Sequence, residues 1–214
     1  MAHKISIGIV GLPNVGKSTL FKTLTNQDIT IANYPFATID PNVGIVPVPD
    51  ERLNVLTKLS GSKKTVPAVV EFYDIAGLVK GANKGEGLGN QFLANIRDTQ
   101  AIVVVLRVFK NDDIIHVENS VDPIRDMEII NGELMLKDLE TIEKRLSSLE
   151  KEARSGDKKA AKSQEILNQV RNRLLASKLV HDLAGEEVIK ELQLLSAKKQ
   201  LYLLNGEPEE VSHD

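Results

Sequence analysis

The chain contains no cysteine, which removes disulfide frameworks, zinc-thiolate sites and cysteine nucleophiles from consideration. It also lacks a long apolar run. The longest lies around residues 101–106 (AIVVVL), far short of the ~20 residues that a membrane-spanning helix needs. The opening MAHKISIGIVGLP passes almost directly into a strand-like run, without the basic, apolar and small-residue sections of a secretory signal. Positive charge is not in excess either. The formal net charge of -3 provides no global attraction to nucleic acid or to an anionic membrane, while leaving room for a local basic face. His3 and His181 have no spacing that suggests a metal site. The expectation is a soluble, cytoplasmic protein without a membrane segment. Its 214 residues suffice for one substantial core, or a core with an appendage.

What is present falls into two kinds of sequence. Residues 5–10 (ISIGIV), 43–48, 69–73 and 101–106 are apolar, β-branched runs, and residues 201–204 (LYLL) return to that character. Runs that are apolar almost throughout suit strands covered on both faces. Interleaved with helices, they predict an α/β fold with a doubly wound, mostly parallel sheet. From about Asp122 and Pro123 to residue 196 the composition shifts to Leu, Glu, Lys, Arg and Ala, all good helix formers apart from the flanks. Leu139, Ile142, Leu146, Leu149 and Ala153 advance in alternating steps of three and four, which places them on one helix face. Ser155, Gly156 and Asp157 supply a helix stop and a new N-cap, and Leu167, Val170 and Leu174 resume the stripe. The predicted organisation is one α/β domain made of residues 1–122 and 197–214, interrupted at 123–196 by an antiparallel helical hairpin of coiled-coil type.

Residues 11–19, GLPNVGKST, fit G-x-x-x-x-G-K-[ST] in full, between a predicted strand and a predicted helix. Glycines let the backbone turn so that several N–H groups face the phosphate oxygens, and the following helix aims its positive end at the same anion. Asn14, Val15, Gly16, Lys17, Ser18 and Thr19 are therefore the expected nucleotide contacts. Lys17 reaches the β- and γ-phosphates, and the Ser18 hydroxyl is a candidate ligand for Mg²⁺.

Two further elements suggest a switch rather than a kinase or motor. Asp74, Ile75, Ala76 and Gly77 follow the apolar run 69–73. An acidic residue ending a neighbouring strand suits Mg²⁺, and a glycine three positions later can offer its N–H to the γ-phosphate. Thr38, in NYPFAT, is the candidate threonine whose hydroxyl joins the metal when the γ-phosphate is present. The expected catalytic groups are thus Lys17, Thr38 and Gly77, with Ser18, Thr38 and Asp74 as the metal set. Glycines within residues 81–90 would permit a loop with two conformations.

GLPNVGKST at 11–19, NYPFATIDPN at 33–42, DIAGLVKGA at 74–82 and HVENSVDPIRD at 116–126 together resemble the Obg-related P-loop NTPases, specifically the YchF or Obg-like ATPase family. The resemblance covers nearly the whole chain. It implies a Ras-like domain with a helical insertion, weak Mg²⁺-dependent ATPase activity, and a ribosomal or translational partner. Leu78 stands where Ras-like enzymes place a water-orienting glutamine, so slow hydrolysis is expected. A nucleotide-binding module with negligible turnover is the alternative. Asn205 ends the last strand-like run, where a base-reading residue belongs. Guanine-specific relatives carry N-K-x-D there, but Gly206 replaces the lysine and Pro208 the aspartate. The resemblance therefore implies ATP, with an Obg-type GTP-binding switch as the alternative. The family's N-x-x-E is not matched at Pro208 either, and Glu207 and Glu209 flank that position. Lys151, Arg154, Lys158, Lys159 and Lys162 make the hairpin locally basic, which suggests RNA contact, diluted by Glu150, Glu152 and Asp157. The resemblance also implies a C-terminal TGS-type domain, which is expected to be absent from these 214 residues.

Overall fold

The computed structural model describes residues 5–25, 43–75, 96–111, 113–154 and 156–211. Five strands form one sheet in the order β2-β3-β1-β4-β5. They are β1 (Ile5–Val10), β2 (Val43–Pro47), β3 (Val69–Asp74), β4 (Ala101–Arg107) and β5 (Lys199–Asn205). All neighbouring pairs are parallel except β2 with β3. Because β1, β3, β4 and β5 run the same way, their C-terminal ends share one edge of the sheet. The register sets Ile9 beside Asp74, Val10 beside Val104, and Arg107 beside Asn205. That edge is where an open parallel sheet binds its ligand.

The central strands are the ones that read as unbroken apolar runs. β4 is buried from Ile102 through Arg107, and Ile9 and Val10 of β1 are buried beside it. Helix α1 (Lys17–Thr25) turns Leu20, Phe21 and Leu24 toward this core. Helix α2 (Arg52–Ser60) joins β2 to β3 and buries no side chain.

Helices α3 (Pro123–Arg154), α4 (Lys158–Leu175) and α5 (Glu187–Leu192) lie between β4 and β5 in the chain. Proline opens α3, where its missing N–H costs nothing, and the Asp122 carboxylate accepts from the Arg125 N–H at 3.0 Å. Gly156 takes φ 93, and Asp157 caps α4 by accepting from the N–H groups of Lys159 and Ala160. The expected stripes meet: Ile142, Leu146 and Leu149 of α3 and Leu167, Val170 and Leu174 of α4 are buried in one cluster.

Helix α3 belongs to two cores. Ile130 and Leu134 pack under the sheet, whereas Ile142, Leu146 and Leu149 pack in the helical cluster. Asp138 sits between these stretches with 0% of its surface exposed. Its carboxylate accepts from the Leu195 N–H (2.9 Å), the Ser196 N–H (2.7 Å) and the Ser196 hydroxyl (2.6 Å). Burial pushes its pKa up, against the opposing pull of those hydrogen bonds. Truncation would orphan three buried donors, each costing 1–3 kcal/mol, so Asp138→Ala is expected to lose about 3 kcal/mol in denaturant unfolding. A loss below about 1 kcal/mol would show that the carboxylate is not an anchor.

Candidate functional site

Between β1 and α1 the chain makes the loop that the motif predicts. Leu12 and Val15 are buried and hold it to the core, while Asn14 and Gly16 take positive φ angles of 63 and 98. The Gly16 carbonyl accepts from the Leu20 N–H at 2.9 Å, so the first N–H groups of α1 are left for a ligand. No acidic side chain lies in the first turn of α1 to neutralise that end.

Lys17 is 7% exposed, and its Nζ donates to the Leu12 carbonyl at 2.8 Å. The ammonium is folded back onto its own loop. Burial lowers its pKa from the usual lysine range, and the charge of Asp74 partly opposes the shift. A phosphate would raise that pKa again, so binding favours the protonated lysine. Affinity for a triphosphate is therefore expected to fall as pH rises through the lowered pKa of the free protein, below the ordinary 10.5. Titrations between neutral and alkaline pH test this. The same slope in Lys17→Ala would assign the titration to another group.

Ser18 opens onto solvent, and its hydroxyl donates to Asp74 Oδ2 at 3.0 Å. Two of the three expected metal groups are thus brought together from α1 and the end of β3. They fit Mg²⁺ in chemistry, being hard oxygen donors. Among the described residues there is no cluster of three or more acidic or histidine side chains that would form a full protein cage. Magnesium suits such a sparse set, because it keeps waters and takes ligand phosphate oxygens. Thr19 is exposed in the first turn of α1. Thr38, Gly77, Leu78 and residues 81–90 lie outside the described residues.

The end of β5 reaches the same loop. Asn205 Nδ2 donates to the Val15 carbonyl at 2.8 Å, joining residues far apart in sequence. A Cβ on Gly16 would collide with that amide. The Asn205 carbonyl accepts from Val108 and Phe109, which closes the loop after β4 against β5. Gly206 is confined as well, since a Cβ there would overlap Val108 and approach Glu210 Oε2 at 2.8 Å. A lysine at this position would have to displace Val108 and Glu210.

Of the two glutamates flanking Pro208, Glu207 is engaged in a capping box with Glu210 around the turn Pro208–Glu210, and Glu209 is exposed. Glu210, which sequence reasoning passed over, also accepts from the Lys110 N–H at 3.1 Å. Its two backbone donors hold its carboxyl below the ordinary range.

Another missed residue organises the loop that follows β4. Arg107 is 1% exposed and donates to the carbonyls of Phe109, Asn111 and Ile114, at 3.1, 3.0 and 2.8 Å. Its guanidinium lies 4.3 Å from the centre of the Phe109 ring. The signal was present as a charged residue ending the run AIVVVLR. The loop is tied to the P-loop by Asn14 Nδ2, which donates to the Ile115 carbonyl at 3.0 Å. It is tied to α3 by His116, whose Nε2 is 2.8 Å from Asp126 Oδ2 while Nδ1 accepts from the Glu118 N–H. A cavity of about 390 Å³ lies within this loop, lined by Arg107, Lys110, Asn111 and Asn119 among others, and none of the P-loop residues line it.

A mostly parallel sheet with a P-loop at its C-terminal edge, and an aspartate-ended strand beside it, defines the P-loop NTPase class. The chain belongs to the family described as 50S ribosome-binding GTPase, which matches residues 6–144, and within it to the YchF proteins. The ribosome-binding ATPase YchF of Bacillus subtilis (strain 168) is 51% identical over 212 residues, covering 97% of this chain and 58% of that protein. Its counterpart in Escherichia coli O157:H7 is 50% identical over 202 residues, covering 92% and 56%. The solved structure of the Schizosaccharomyces pombe YchF GTPase superposes with a TM-score of 0.77 at 42% identity, over 98% of this chain and 58% of that one. The chain thus spans 56–58% of the length of these relatives.

Proposed function

We propose that the chain is an ATP-dependent switch which binds and slowly hydrolyses ATP with Mg²⁺, and which acts on the ribosome in the cytoplasm. The observation that carries the reading is the pairing of a formed P-loop, its lysine resting on a loop carbonyl, with the Ser18–Asp74 contact beside it. Lys17 exchanges the Leu12 carbonyl for β- and γ-phosphate oxygens. The N–H groups of Asn14, Val15, Gly16, Lys17, Ser18 and Thr19 cradle the phosphates, and Asn205 holds the loop and borders the base. Ser18, Thr38 and Asp74 would hold the metal ion. When bound, Mg²⁺ neutralises charge on the β- and γ-phosphates. Gly77 offers its N–H to the γ-phosphate, and Thr38 reports whether that phosphate is present. Leu78 cannot hydrogen-bond a water, so unassisted turnover stays near or below the ~10⁻⁴ per second of an intrinsic Ras-type enzyme.

Adenine rather than guanine is supported by the absence of N-K-x-D and by the tight confinement of Gly206. The name of the two bacterial relatives, ribosome-binding ATPase, agrees with this base and supplies the partner, whereas the family model and the Schizosaccharomyces pombe protein are described as GTPases. Residues 1–122 with 197–214 would form the nucleotide domain, and 123–196 the contact element. Lys158, Lys159 and Lys162 are exposed at the start of α4 and suit RNA phosphates. Their simultaneous replacement by glutamate is expected to abolish co-sedimentation with ribosomes while ATP binding persists. Unchanged co-sedimentation would place the contact elsewhere.

A further inference from the structure

Helix α2 lies at the end of the sheet remote from the nucleotide site. The register sets Pro47, which ends β2, beside Val69, which begins β3. Asp74 ends β3, about 16 Å further along the strand. Within α2, Leu53 and Thr57 are half-buried and one helical turn apart, which marks the side that meets the fold. Val55, Leu56 and Leu59 fall on another side and are 66%, 55% and 83% exposed.

Gly61, at φ 60, turns the chain back, its N–H donating to the Lys58 carbonyl and that of Ser62 to the Thr57 carbonyl. The hydroxyls of Thr57 and Thr65, 2.6 Å apart, hold the returning segment to the helix. Lys63, Lys64 and Val66, all exposed, are thereby kept at the same end of the molecule as exposed Lys58 and Leu59. No acidic residue occurs between Glu51 and Glu71, and Arg52 is paired with Asp50 at 2.7 Å. A chain of net charge -3 thus carries a pole that is both basic and apolar.

The composition of this pole selects among partners. A second copy would set lysines against lysines. A protein partner is disfavoured because the stretch from Val48 to Glu71 has no aromatic residue and its free cations are lysines, whereas interface centres are rich in aromatics and arginine and poor in lysine. RNA would engage the lysines, but it would leave the leucines without a partner and has no aromatic side chain to stack on. Leucine and valine beside lysine suit an anionic bilayer, where apolar groups enter the acyl boundary and ammonium groups stay among the phosphates. We propose that α2 and the segment after it form a peripheral contact with anionic lipid, through Val55, Leu56, Leu59 and Val66 together with Lys58, Lys63 and Lys64. The contact faces away from the P-loop, so it leaves the nucleotide site open and does not depend on the nucleotide reading.

Co-sedimentation with vesicles tests this, using phosphatidylcholine alone and phosphatidylcholine mixed equally with phosphatidylglycerol. The unaltered chain is expected to bind the mixed vesicles about tenfold more tightly than the neutral ones, less so as salt rises. Lys63→Glu with Lys64→Glu is expected to lose that preference, and Leu59→Ser to weaken binding about fivefold. These positions are exposed, so melting temperatures should stay within about 2 °C of the parent. The chain has no tryptophan, so Leu59→Trp places a single reporter on the contact, and its emission should shift to the blue with mixed vesicles only. Absence of binding, or equal binding to both vesicle types, overturns the proposal. So does binding that both sets of variants retain, or binding that leaves the Leu59→Trp emission unmoved, since either places the contact elsewhere. Binding to polyuridylate that the lysine changes abolish and Leu59→Ser leaves intact, with no vesicle binding, would assign the surface to RNA and overturn the lipid reading.

Discussion

Lys17→Ala is expected to weaken ATP binding by about 100-fold, because a charge-assisted hydrogen bond is worth 1.5–3 kcal/mol and each 1.4 kcal/mol is a factor of ten. The nucleotide-free protein should hardly notice. There the ammonium is buried, with its pKa already lowered, and among the described residues it donates to the Leu12 carbonyl. Losing that bond is offset by no longer burying a charge, so the melting temperature should move by no more than about 3 °C, equivalent to about 1 kcal/mol. Calorimetric titration with ATP, alongside thermal melts, separates the two effects. A loss of affinity below tenfold would mean that Lys17 stays on Leu12 when nucleotide binds.

Gly16→Ala acts through the backbone and through Asn205 together. The residue sits at φ 98, where an L side chain is strained, and its new Cβ would strike the Asn205 amide. The left-handed conformation costs about 1–2 kcal/mol, and the displaced Asn205–Val15 hydrogen bond about 1 kcal/mol. A melting temperature lower by about 5–10 °C follows, with ATP binding lost beyond 100-fold because the loop N–H groups no longer converge. The two causes are separable by a double-mutant cycle. Asn205→Ala opens room for the Cβ, so the pair should be less destabilised than the sum of the single changes. Strict additivity would show that the clash relaxes without involving Asn205.

These two residues also mark what was legible in the sequence. The P-loop motif carries its own geometry, since glycine spacing and a following helix are local properties. The apolar runs at 5–10 and 101–106 gave the sheet centre for a similar reason, because strands buried on both faces have little choice of residue. The stripe of Ile142, Leu146 and Leu149 against Leu167, Val170 and Leu174 followed from helical periodicity alone. Strand direction was less accessible. The antiparallel placement of β2 beside β3 depends on non-local pairing, which the local pattern of residues 43–48 does not encode.

What escaped the sequence was the set of polar contacts between distant segments. Asn205 was readable as the end of a strand near a base, but its tether to Val15 is not. Arg107 and Asp138 are charged residues in ordinary surroundings until the fold buries them. Their partners are mostly backbone carbonyls or N–H groups, which have no letter in the sequence. Gly206 was legible only as a missing lysine, whereas the structure adds the crowding by Val108 and Glu210 that confines it.

The most direct test of the account is a paired titration with fluorescent ATP and GTP analogues at fixed Mg²⁺, with Lys17→Ala as the control. The account predicts tighter binding of the ATP analogue, lost in the variant. Equal or tighter binding of the GTP analogue would contradict the adenine assignment, and binding unaffected by Lys17→Ala would contradict the site itself.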